Sequence, residues 1–156
     1  MWCHRRSWCG LLVGAWMLAA LATLSAADRP NIIFVFTDDQ ASWALGASGN
    51  PLAKTPHMDR LAKEGVYLPN SFTTTPVCSP SRASLMTSRY GSELGITDWI
   101  GARQKRNVLL TPVNVSALPQ AELTFAEVLR EAGYATAYFG KWHLGAKDGD
   151  HPSTQG

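Results

Sequence analysis

Cysteine is scarce in this chain: three occur in 156 residues, and Cys3 and Cys9 fall within the first 27. Residues 1–27 read as a secretory signal, with Arg5 and Arg6 as the basic start, 11–24 as the apolar core, and Ser25, Ala26 and Ala27 as the small-residue exit before Asp28. The exported chain then keeps only Cys78, which excludes an internal disulfide framework. Excess charge is lacking too. Arg5 and Arg6 account for the net +2, and the remaining chain is formally neutral, without the positive field that nucleic acid or an anionic membrane requires. His57, Cys78, His143 and His151 lack the close paired spacing of a structural zinc site. The one long apolar run, 11–27, is shorter than the roughly 20 residues of a spanning helix, so the membrane is expected only through the signal or, alternatively, an uncleaved anchor. Arg5-Arg6 leaves a twin-arginine export route open. Internal repeats are absent, and the composition, 46% hydrophobic and 17% charged, is that of a globular protein.

What is present alternates between strand and helix patterns. Residues 31–36 form a continuous run of Ile, Val and Phe, the mark of a strand buried on both faces of a parallel sheet. Thr55 as N-cap, Pro56 at the first helical position, Met58, Leu61 and Ala62 on one face and Gly65 as the stop predict a helix. Residues 66–72 resemble an edge strand broken by Pro69. A further helix is expected over 80–88, then an irregular stretch, 90–120, that is functional or docks on parts of the protein outside this sequence. Thr124 and Glu127 form a capping box, Leu123 and Val128 a hydrophobic staple, and Gly133 a stop, before a last strand at 134–139. This order predicts an α/β fold with a mainly parallel sheet sandwiched by helices.

Ligands of such sheets bind beyond the carboxyl ends of the strands. Three polar clusters fall there: Asp38-Asp39, Cys78 with Arg82, and Lys141 with His143. Adjacent aspartates face one point only if the backbone has left strand geometry, and they then suit a hard divalent cation; a solvated turn is the alternative. Cys78 and Arg82, four apart, share one side of a helix start, which favours an anion. A thiol-phosphatase needs five residues between its cysteine and arginine, and here there are three. Lys141 and His143 share a side if the backbone is extended, with Trp142 opposite as packing; a lysine charge beside an imidazole suits a tetrahedral oxyanion and a proton transfer.

Cys78-Ser79-Pro80-Ser81-Arg82 matches the Cys-x-Pro-x-Arg signature of the sulfatase family. Asn31-Ile32-Ile33-Phe34-Val35 leading into Asp38-Asp39, Thr55-Pro56-His57-Met58-Asp59-Arg60-Leu61-Ala62, and Gly133-Tyr134-Ala135-Thr136 leading into Gly140-Lys141-Trp142-His143-Leu144-Gly145 also resemble that family, in its order, so that the similarity covers 29–145. The resemblance implies an alkaline-phosphatase-like fold and a sulfuric ester hydrolase acting on an aryl or carbohydrate sulfate. It implies that a formylglycine-generating enzyme oxidises Cys78 to formylglycine, whose hydrated aldehyde attacks sulfur and later expels sulfate. By the same match Asp38, Asp39 and Cys78 lie at the metal, Ca²⁺ or else Mg²⁺; Arg82 holds the hydrated aldehyde, Lys141 binds sulfate, and His143 assists proton transfer. A related phosphonate or phosphodiester hydrolase and a non-catalytic secreted fragment are the alternatives.

The family pattern also has further metal ligands, an Asp with an Asn or His, and another Lys and His far downstream. The expectation is therefore a signal at 1–27, then at 28–156 the front part of a catalytic domain, secreted or periplasmic and inactive alone. Ser88 stands where the family commonly has glycine, and Phe139 where it often has a smaller apolar residue. Asn114-Val115-Ser116 fits a glycosylation sequon.

Overall fold

The computed structural model describes residues 29–102 and 113–156, so the expected signal, 1–27, and positions 103–112 of the irregular stretch lie outside the described residues. The chain divides into two units, 1–37 and 38–156. In the first, the run 31–36 carries no strand: Ile33 is 87% exposed and Val35 75%, while the rings of Phe34 and Phe36 lie 6.2 Å apart. The segments 66–72 and 134–139 carry none either. A strand exists only where a neighbour takes up its N–H and C=O groups. Among the described residues no ladder forms, so the expected parallel sheet is not seen.

Among its described residues the second unit contains three α-helices: α1, Pro56–Glu64; α2, Cys78–Thr87; and α3, Phe125–Glu131. Short 3₁₀ turns form at Ser42–Ala44, Gly46–Ser48 and Pro152–Thr154. No helix among the described residues is long and apolar enough to cross a membrane.

Helix α1 begins as its sequence dictates, with Thr55 at the cap and Pro56 in the first turn, where a missing N–H costs nothing. The Thr55 side chain does not cap the helix. Its hydroxyl donates to Asp59 Oδ1 (2.9 Å) and accepts from the Gly46 amide (2.9 Å), and Asp59 accepts from the Ala47 amide (2.8 Å). The Thr-Pro-x-x-Asp spacing thus fastens α1 to the loop before it. The face expected to be buried is not: Met58 is exposed, Leu61 is 67% exposed, and no α1 residue is buried.

Helix α3 matches its sequence signals. Thr124 Oγ1 accepts from the Glu127 amide (3.2 Å) and the Glu127 carboxylate accepts from the Thr124 amide (2.9 Å), closing the capping box. At the other end Gly133 takes φ +83°, and the Tyr134 and Gly133 amides donate to the Leu129 and Arg130 carbonyls, a Schellman stop. The expected staple residues, Leu123 and Val128, stay about half exposed.

The core surrounds α2. Ala83 and Met86 pack with Leu94, Ile96, Leu118, Trp142 and Leu144, so the described parts of the irregular stretch dock on this helix, within the chain itself. Gly91 permits the approach: a Cβ there would lie 2.5 Å from the Ile96 carbonyl oxygen and 2.7 Å from Pro80.

Candidate active site

Helix α2 starts two residues earlier than its sequence suggests. Cys78 is the first helical residue, and Pro80 sits third, still among the positions whose N–H groups have no partner within the helix. That register leaves the Cys78 thiol free and half-buried, with Arg82 one turn further on. Arg82 is only 6% exposed. Its Nη1 donates to the Lys141 carbonyl (2.6 Å), which Tyr138 Oη also reaches (2.6 Å), and its Nη2 donates to Asp38 Oδ1 (3.4 Å).

Asp38 lies at a bend, and Asp39 beside it has φ +53°, so the backbone has left strand geometry at this pair. Only Asp38 joins the cluster. Its Oδ2 accepts from Lys141 Nζ at 2.8 Å, so one carboxylate bridges the guanidinium and the ammonium. The hydrogen bond from Lys141, opposed by desolvation and helped by the Lys141 charge and by Arg82, holds the Asp38 carboxyl below the ordinary range. The reciprocal bond holds the Lys141 ammonium above its ordinary range, and the nearby Cys78 sulfur adds to this. Asp39 is exposed and makes no ion pair with the described residues.

Beyond Lys141 the alternation expected of an extended backbone breaks. Trp142 is buried as expected, its Nε1 donating to the Asp150 carbonyl (2.8 Å) and its ring edge-on to Tyr138. His143, however, has φ +58°, a conformation uncommon outside glycine but less so for Asn, Asp and His. Its ring turns to the Ile100 carbonyl, with Nε2 3.1 Å from that oxygen and the Trp99 ring 6.1 Å away. Lys141 and His143 are therefore oriented separately, the first by Asp38 and the second by the 99–100 turn.

Sequence reasoning missed two participants. Tyr138 meets the Lys141 carbonyl, and Ser79, fully buried, joins His143 to Ile100 through its hydroxyl. The only sequence signal for Ser79 is a hydroxyl at a variable position of the motif. Ser88 closes α2 at φ +58°, a left-handed cap where glycine costs least, which explains the family's preference there. Asn114 of the sequon has a structural role: its side chain accepts from the Thr97 amide (2.8 Å) and donates to the Asp98 carbonyl (2.9 Å).

The donors expected at a metal do not make a site by themselves. No three His, Cys, Asp or Glu residues converge among the described residues, Asp38 already faces two cations, and a calcium ion takes six to eight oxygens. What the cluster offers is a buried guanidinium and an ammonium converging on one anionic group, next to a thiol at a helix start.

Known proteins resemble this chain in sequence. A family model described as Sulfatase matches residues 30–155. The chain is 44% identical over 120 residues to steryl-sulfatase of Homo sapiens, covering 77% of this chain and 20% of that protein. It is 43% identical over 116 residues to the ulvan-active sulfatase of Formosa agariphila, covering 74% and 20%. It is 38% identical over 138 residues to N-acetylgalactosamine-6-sulfatase of Canis lupus familiaris, covering 88% and 26%. The chain thus spans about a fifth to a quarter of the length of these curated relatives. With its separated motifs in the family's order and the family model matching nearly all of the described residues, the chain belongs to the sulfatase family.

Proposed function

We propose that this chain carries the nucleophile and anion-binding part of a sulfuric ester hydrolase, secreted or periplasmic, that cleaves an aryl or carbohydrate sulfate to an alcohol and inorganic sulfate. The observation that carries the reading is the Asp38 carboxylate held between Arg82 and Lys141 beside Cys78. Two cations that converge on a carboxylate oxygen pair also suit the oxygens of a sulfate ester, and they stabilise the charge that builds on those oxygens as sulfur is attacked.

In this reading a formylglycine-generating enzyme converts Cys78 to formylglycine, which when hydrated supplies an attacking oxygen and, afterwards, an internal route for expelling sulfate. Arg82, anchored by the Lys141 carbonyl, orients that group; Lys141 binds the sulfate; and His143 assists proton transfer. Asp38 and Asp39 would supply two oxygen donors toward a Ca²⁺ or Mg²⁺ ion, too few to hold it alone, and such an ion would add positive charge beside the sulfate oxygens. The 156 residues alone are expected to bind Ca²⁺ weakly and to show negligible turnover.

The test is co-expression with a formylglycine-generating enzyme, followed by mass spectrometry of the peptide containing Cys78. Conversion of the thiol to the aldehyde supports the reading. An unmodified thiol in preparations that hydrolyse an aryl sulfate sinks the mechanism, and turnover that survives Cys78→Ala sinks the role of Cys78.

A further inference from the structure

The signature position between Cys78 and Pro80 is filled by Ser79, a fully buried residue whose hydroxyl makes two bonds to distant backbone. Its Oγ donates to the His143 carbonyl at 2.8 Å and accepts from the Ile100 amide at 2.9 Å. The Ile100 carbonyl in turn lies 3.1 Å from His143 Nε2. These bonds close a ring. Ser79 holds the backbone of His143 at one end and, at the other, the residue whose carbonyl faces the imidazole.

The ring has a chemical consequence. A carbonyl oxygen only accepts, so the nitrogen facing it carries the hydrogen: Nε2 is the N–H and Nδ1 the nitrogen with the lone pair. Nδ1 is buried and has no hydrogen-bond partner in the described residues. We infer that Ser79 is a positioning residue for His143, fixing its Nε2–H tautomer and leaving Nδ1 as the nitrogen with the free lone pair. The inference rests on the proposed function for what Nδ1 does, but its geometry stands without that reading.

The left-handed backbone of His143 adds to the case. A residue at φ +58° stays there only when its surroundings hold it, and the Ser79 bond to its carbonyl is a tertiary hold at that residue. Removing the hydroxyl leaves the part-buried Ile100 N–H and His143 C=O without this partner, and the turn carrying the Ile100 carbonyl can then swing away from Nε2.

The experiment is nitrogen NMR of the full chain carrying ¹⁵N-histidine, in which long-range proton correlations identify the protonated nitrogen. In the unsubstituted chain His143 should show a protonated Nε2 and a bare Nδ1. Ser79→Ala should lose this single-tautomer signature, and the Ile100 amide should exchange with solvent roughly five- to tenfold faster, the scale of one lost hydrogen bond. Ser79→Thr, which keeps the hydroxyl, should restore both. A His143 protonated at Nδ1 in the unsubstituted chain overturns the inference, and so does a folded Ser79→Ala chain with tautomer and exchange unchanged. If Ser79→Ala fails to fold, the unsubstituted chain and Ser79→Thr still decide: scrambled tautomers in either one overturn it. None of these readings needs turnover, so an inactive or unmodified chain leaves them standing, and a modified Cys78 beside a scrambled His143 sinks this inference alone.

Discussion

Helices α1 and α2 are nearly equal in length, nine and ten residues, and each has a proline in its first turn, yet their fates are opposite. The sequence of α1 places Met58, Leu61 and Ala62 on one face and charges on the other, and none of its residues is buried. The sequence of α2 has serines and an arginine among its apolar residues and no clean stripe, and seven of its ten residues are buried. Amphipathic spacing tells which face would be covered, not whether anything covers it. What buries α2 is a set of specific partners: Ile96 and Leu118 in its core, the Lys141 carbonyl and Asp38 on Arg82, and two backbone groups on Ser79.

The largest test of that contrast pairs two truncations. Ile96→Ala, at a fully buried site in the α2 core, should cost about 2–5 kcal/mol in urea unfolding. Leu61→Ala on exposed α1 should stay within about 0.5 kcal/mol. Equal losses would break the comparison.

Next in size, Arg82→Met keeps much of the aliphatic stem but removes the donors to the Lys141 carbonyl and Asp38, and should cost about 2–3 kcal/mol. A loss below about 1 kcal/mol would show that the packing of α2, not its polar network, holds it in place. Ser88→Gly should act in the other direction. The left-handed cap at φ +58° relaxes, and the chain gains about 0.5–1 kcal/mol once glycine's extra unfolded freedom is offset. A destabilised Ser88→Gly chain would mean that the serine side chain contributes something its geometry does not show.

The smallest effect concerns the ion pair between Asp38 and Lys141. The lowered carboxyl pKa contributes stability that is complete above the ordinary aspartate value and is lost as pH falls through the lowered one. The raised ammonium pKa contributes stability that is complete below the ordinary lysine value and is lost as pH rises through the raised one. The pair should therefore persist across the whole neutral range and fail at both extremes, weakened by salt because both side chains are about half exposed. Carbon and nitrogen NMR titration of Asp38 and Lys141 checks this; an Asp38 midpoint at or above the ordinary carboxylate value would contradict it.

The parts legible in the sequence are those whose determinants are close along the chain. Thr124 and Glu127 specify the start of α3 and Gly133 its end, because cap and Schellman bonds join residues three to five apart. The motif order also named Asp38, Arg82 and Lys141, which the fold brings into one cluster. The 31–36 and 134–139 patterns state a preference for extended backbone but cannot supply the neighbouring strand that makes a ladder, and among the described residues none is present.

By itself, then, the sequence determined the two ends of α3, the family and the residue types of the candidate site, since each is written in short spacings. Only the tertiary structure decided that α2 rather than α1 is buried, that Asp38 and not Asp39 meets both cations, and that Ser79 ties His143 to Ile100. The reason is that these outcomes depend on partners far away in the chain, side chains and also backbone carbonyls and amides that every residue carries, and no short sequence pattern marks which of them will meet.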